Sequence, residues 1–134
     1  AASPQARKIT FLDIDKAALD VLRQNVLELN TEHEIIHSPL KAIQADIVLT
    51  NPPFGTKNRH ADKFFVQAAC QSAPIVYSMH LKGSEDFIAD VASEYGHKLT
   101  DVYNYSFPIA NTMPMHNVLE KRIEVVVIRL AQAL

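Results

Sequence analysis

The string Asn51-Pro52-Pro53-Phe54 puts a carboxamide, two ring-locked backbone units and an aromatic side chain into four consecutive residues. Each proline fixes φ and removes a backbone donor, while its carbonyl still accepts. Each also restrains the residue before it. The side-chain oxygen of Asn51 and the carbonyl of Pro52 can thereby be held at a fixed separation. Two converging acceptors suit an exocyclic amino group, which carries two hydrogens. Phe54 offers a face on which a planar base can stack, and Gly55 lets the chain turn away. The same string also suits a plain turn, because Asn-Pro starts turns and Phe54 could enter the core at a helix entrance.

Lys57, Asn58, Arg59 and His60 follow directly. They form a small basic patch that could touch phosphates beside such a pocket, or simply a solvated loop. Cys70 sits on an apolar helical stretch and reads as a small buried hydrophobe. The six histidines, at 33, 37, 60, 80, 97 and 116, show no metal-like spacing. A single cysteine forms no intrachain disulfide and no cysteine-based zinc site.

The elements that must position these residues alternate in period. Residues 9–12, "ITFL", read as a buried strand. Leu19, Leu22, Val26 and Leu29 then recur at steps of three and four, which predicts a helix with one inward stripe. Asp15 suits its N-cap. Strands are predicted at "HEIIH" (33–37), limited by Pro39, and at "ADIVLT" (45–50), which ends at Asn51. A helix through "ADKFFVQAACQ" leads to the strand "PIVYSMH". The next helix, "SEDFIADVASEYG", turns Phe87, Ile88, Val91 and Tyr95 inward and stops at Gly96. "KLTDVYNYSF" and "IEVVVIRL" close the chain as two strands without an intervening helix, which predicts an antiparallel finish. Alternating strands and helices predict an α/β fold whose sheet is mostly parallel and covered on both faces. Such a sheet binds ligands at the carboxyl ends of its strands, where Asn51 lies.

Size and composition set limits. The 134 residues suit one modest domain, 1–134. With 13 basic and 15 acidic residues, bulk charge advertises no nucleic-acid footprint. No apolar run reaches membrane-spanning length, and the first ten residues carry no signal-peptide core. A reducing compartment, cytoplasmic or nuclear, fits these features. The chain starts without methionine and reads as a processed product or a fragment.

"NPPF" after an apolar strand resembles the signature of adenosylmethionine-dependent methyltransferases acting on exocyclic amines. The longer strings "NPPFGTKN", "FLDIDKAAL", "VYSMH" and "IEVVVIRL" look like one branch, the methyltransferase-like protein five family. That family modifies an adenine N6 amine in small-subunit ribosomal RNA. The resemblance runs from Ile9 to Leu130 and implies a Rossmann-like class I methyltransferase sheet with an antiparallel carboxy-terminal hairpin.

The resemblance implies roles residue by residue. Asn51, Pro52, Pro53 and Phe54 would be catalytic, acting by positioning and by accepting the N–H bonds of the amine rather than through a covalent intermediate. S-adenosyl-L-methionine would be held by Asp13 at the ribose, Ile14 against adenine, Ser38 and Asn51. Ser38 stands where relatives carry an acid. Phe54, Lys57, Asn58, Arg59, His80 and His116 would meet the RNA, with Met115 replacing an aromatic residue beside His116. His80 suits a structural hydrogen bond to the adjacent loop as well. Lys121 and Arg122 could add phosphate contacts. The family's first central strand and its glycine-rich cofactor turn are not found, since the only glycines are Gly55, Gly83 and Gly96. The flanking strands at 9–12 and 46–50 are therefore expected to lack their shared neighbour. A small zinc-containing activator subunit is a further implied partner, alongside ribosomal RNA. Competing readings are a catalytically silent interaction module of the same fold, and methylation of another exocyclic amine such as DNA adenine or a protein glutamine.

Overall fold

The computed structural model describes residues 6–53, 61–109 and 121–133. It resolves into two compact units, residues 1–41 and 42–134.

In the first unit, β1 (Lys8–Asp13) and β2 (Glu32–His37) pair in parallel, with Lys8 opposite Glu32 and Asp13 opposite His37. Helix α1 (Lys16–Asn25) joins them. Asp15 caps α1 as predicted, its carboxylate accepting from the backbone of Ala17 and Ala18. The predicted stripe also holds: Leu19 and Val26 are buried, and Leu22 and Leu29 half-buried. Val26 is the C-cap, so Leu29 lies beyond the helix end.

The second unit is a four-stranded sheet. Its strands are β3 (Ile47–Thr50), β4 (Ile75–Leu81), β5 (His97–Ile109) and β6 (Lys121–Gln132), in the order β3-β4-β6-β5. β3 and β4 are parallel, and β6 returns antiparallel between β4 and β5. This is the predicted antiparallel finish, and the architecture is a mixed, Rossmann-like α/β fold. Helices α2 (Lys63–Ser72) and α3 (Glu85–Ser93) connect β3 to β4 and β4 to β5. Val66, Ala69 and Cys70 of α2 and Ile88, Val91 and Ala92 of α3 bury against Val76, Val126, Ile128 and Leu130. Phe87 and Tyr95 pack at the edge of this core. Gly96, at φ +76°, takes the left-handed turn that ends the α3 segment, a conformation glycine reaches without a steric penalty.

Side chains alternate across a strand. The residues between those core positions therefore point to the other face, where Leu49, Tyr103, Tyr105 and Phe107 are exposed. Both helices of this unit lie against one face of the sheet. Among the described residues β1 pairs only with β2, and β3 only with β4. Each of the two predicted flanking strands thus has one edge without a ladder partner there, a feature that invites pairing.

Candidate functional site

Asn51 follows Thr50, the last residue of β3, whose ladder partner on β4 is Ser78. Asn51 and Pro53 are exposed, whereas Pro52 is fully buried. Of the two acceptors expected at this loop, the Asn51 carboxamide is the one presented. It borders a shallow concavity of about 270 Å³ lined by Leu49, Thr50, Asn51, Tyr77, Met79 and Val127. Arg129 donates to the Tyr77 hydroxyl at 3.2 Å and lies 5.9 Å from its ring centroid, which fixes that ring beside the concavity. Tyr77 and Met79 escaped the sequence reading, although their alternation with Val76, Ser78 and His80 marks them as one strand face.

Phe54, Lys57, Asn58, Arg59, His60, Met115 and His116 lie outside the described residues. Lys121 and Arg122 begin β6. Arg122 is engaged at Ser106, donating to its Oγ at 2.8 Å and its carbonyl at 3.1 Å.

His80 requires a correction. As a direct RNA contact it would have to reach solvent, yet it is 0% exposed. Its Nδ1 bonds Asp62 Oδ2 at 2.9 Å, and its Nε2 bonds Ser78 Oγ at 2.6 Å. Burial pushes the imidazole pKa down, and this outweighs the Asp62 carboxylate, which pulls it up. The ring is therefore neutral at pH 7. Its Nδ1–H donates to Asp62, and Nε2 accepts from the Ser78 hydroxyl. The alternative sequence reading, a structural hydrogen bond toward the adjacent loop, is the arrangement found.

Of the four candidate cofactor residues, Asp13, Ile14 and Ser38 lie in the first unit and Asn51 in the second. Asp13 ends β1, Ile14 follows it and Ser38 follows β2, and the Ser38 N–H donates to the Asp13 carbonyl at 3.1 Å. Asp13 Oδ1 accepts from Asp15 N at 2.9 Å, which turns the carboxylate toward the strand end. Ile14 is 65% exposed, enough to cover one face of a planar base. His37, not singled out from sequence, donates through Nε2 to the Ile14 carbonyl at 2.9 Å and braces this turn. An exposed carboxylate beside an exposed aliphatic side chain fits the ribose and adenine of adenosylmethionine. Ser38 fits less well as an adenine partner, since its hydroxyl donates to the Pro39 carbonyl at 2.9 Å. Among the described residues no cluster of three or more His, Cys, Asp or Glu could hold a metal ion, and no helix is long and apolar enough to cross a membrane.

Comparison with known proteins places this arrangement. The chain is 31% identical to the rRNA N(6)-adenosine-methyltransferase of zebrafish (Danio rerio), over 87% of this chain and 61% of the relative. It is 32% identical to the enzyme of that name from Drosophila melanogaster, over 84% and 58%. The crystal structure of a candidate RNA methyltransferase from Pyrococcus horikoshii superposes with a TM-score of 0.82 at 29% identity, over 96% of this chain and 65% of that one. The chain thus spans about three fifths of the length of these curated relatives. The methyltransferase small domain model matches residues 1–116. With the Rossmann-like strand order and an Asn-Pro-Pro loop at the end of β3, this match shows that the chain belongs to the methyltransferase small domain family.

Proposed function

We propose that this chain is the substrate-handling part of an adenosylmethionine-dependent methyltransferase acting on the N6 amine of an adenine in small-subunit ribosomal RNA. The observation that carries the reading is Asn51. It is an exposed carboxamide at the carboxyl end of a parallel strand, braced by a buried proline and set beside a concavity. The relatives named for rRNA adenosine N6 methylation support the choice of target.

Adenosylmethionine supplies an electrophilic methyl group on a sulfonium. The chain's own residues do the rest. Asp13 accepts from the ribose hydroxyls and Ile14 covers the cofactor's adenine. The target base leaves its stack to enter the site and rests on Phe54. Asn51 Oδ1 accepts an N–H of its amine, drawing the nitrogen lone pair out of the ring toward a tetrahedral geometry. The Pro52 carbonyl is the second acceptor in this reading, although Pro52 itself is buried. Lys57, Asn58, Arg59 and His116 are assigned to the RNA in the same reading. A small zinc-containing activator subunit remains a partner implied by the resemblance alone.

A second reading, a silent interaction module of the same fold, draws on Ser38, which brings no charge to the cofactor side. The deciding experiment is single-turnover methylation of a small-subunit ribosomal RNA fragment by the protein at its full natural length, with the product nucleoside identified by mass spectrometry. N6-methyladenosine dependent on Asn51 supports the enzyme. Its absence at saturating cofactor and RNA supports the silent module.

A further inference from the structure

Asp62 occupies the N-cap position of α2, where an aspartate ordinarily turns its side chain back to cap the first N–H groups. Here it makes no capping bond. Its carboxylate instead accepts from His80 Nδ1 at 2.9 Å, and the other side of that ring accepts from Ser78 Oγ at 2.6 Å. Ser78 and His80 are two residues apart on β4, hence on one face, and both are 0% exposed.

The order Asp–His–Ser is also that of a nucleophilic relay. Burial excludes that use. A fully enclosed Ser78 meets no substrate. The chain of bonds has a different geometric consequence. Ser78 is the ladder partner of Thr50, the residue before Asn51. Two residues further along both segments lie two more buried residues, Pro52 and His80. Asp62 stands at the other end of the same connection, where the chain enters α2. The Asp62–His80–Ser78 bonds therefore tie the helix start that closes the Asn51 loop to β4, the ladder neighbour of the strand end that opens it.

We infer that His80 is a positioning residue, which through Asp62 and Ser78 fixes the two ends of the Asn51 loop relative to each other. The inference rests on the methyltransferase reading for its effect on rate, but not for its structural content. Buried polar rows of this kind hold their members in one arrangement only while every partner is present. Asp62 is the member to remove, because its side chain is 16% exposed and truncation leaves the core intact.

The test compares Asp62→Ala, Asp62→Asn and Ser78→Ala in the full chain, each checked for folding by circular dichroism. The first readout is nuclear magnetic resonance of the Asn51 backbone and side-chain amides and of the His80 ring nitrogens. Asp62→Ala is expected to move the Asn51 signals and to disturb the Nδ1–H tautomer of His80. Asp62→Asn, whose Oδ1 still accepts from Nδ1–H, is expected to restore both. Should Asp62→Ala unfold, Ser78→Ala is expected to shift the Asn51 signals by loss of the other bond. Asn51 signals that stay in place while the His80 ring signals move would overturn the inference and leave the row a local core contact. The second readout is methyl transfer. Misplacing the reacting groups should lower kcat by roughly tenfold to a hundredfold while KM for RNA and cofactor stays near wild type. An unchanged kcat in a folded Asp62→Ala protein with measurable wild-type activity also overturns the inference. If the wild-type protein transfers no methyl group but the Asn51 signals respond as described, the positioning role stands and the methyltransferase reading falls.

Discussion

The imidazole of His37 bonds through Nε2 to the backbone carbonyl of Ile14, 2.9 Å away and 23 residues apart in sequence. This bond ties the end of β2 to the turn after β1, where Asp13 and Ile14 are displayed. Asp13→Ala should therefore weaken adenosylmethionine binding directly, because a hydrogen bond to a charged group contributes about 1.5–3 kcal/mol. His37→Ala should weaken it less, by loosening the turn. Calorimetric titration of both variants at full natural length checks the order. Equal affinity of Asp13→Ala and wild type would remove Asp13 from the cofactor site.

The strand and helix pattern was legible because it rests on periodicity. Leu19, Leu22 and Val26 announce α1, and Phe87, Ile88 and Val91 announce α3. The Asn51 loop was legible because two prolines and a carboxamide at a strand end are chemically unusual. The fate of His80 was not. From sequence it closes a strand near the presumed site. Whether it faces solvent depends on which strand face α2 covers, and that follows from pairing register. Asp62 was invisible for the same reason, lying 18 residues from its partner. That α2 and α3 share one face of the four-stranded sheet was also hidden, because alternation of element types does not say on which face each helix crosses.

Asp15 offers a test of local stability separate from function. Its carboxylate accepts from Ala17 at 2.9 Å and from Ala18 at 3.4 Å. Asp15→Ala leaves those N–H groups to solvent and should destabilise the first unit by about 0.5–2 kcal/mol. Urea unfolding followed by helical circular dichroism measures it. A midpoint equal to wild type would show that the cap contributes nothing.

Stability should depend on His80 below neutral pH. Its folded-state pKa lies below the ordinary 6.5, chiefly through burial. The unfolded chain then takes up a proton first as pH falls, so protonation favours unfolding. The contribution is fully present above 6.5 and is lost progressively from there down toward the folded value. Melting temperatures between pH 5 and 8 should fall on the acid side, and His80→Asn should flatten that slope. An unchanged slope in the variant would count against it.

Cys70 should be chemically quiet. Burial against α3 and the sheet raises its thiol pKa to about 11, so little thiolate exists at pH 8. A disulfide reagent should label the native protein slowly and the urea-unfolded protein fast. Rapid native labelling would mean that α2 opens readily from the core.

Asn51→Ala is the decisive change for chemistry. Asn51 is exposed at a strand end and belongs to no part of the buried core, so the fold should survive its truncation. The side-chain oxygen matters most as the adenine nitrogen becomes tetrahedral, when its N–H bonds gain donor strength. Loss of one such preorganised partner costs about 2.7–4 kcal/mol, or roughly a hundredfold to a thousandfold in rate. Cofactor affinity should change little, because the contacts proposed for the cofactor are those of Asp13 and Ile14. Phe54→Ala should behave differently, since it removes a stacking surface of about 1–3 kcal/mol per base and weakens RNA binding as well. Single-turnover methylation of the ribosomal RNA fragment, with cofactor binding measured in parallel, separates the two. A normal single-turnover rate for Asn51→Ala at saturating cofactor and RNA would refute the role assigned to the carboxamide. It would also move the silent module ahead.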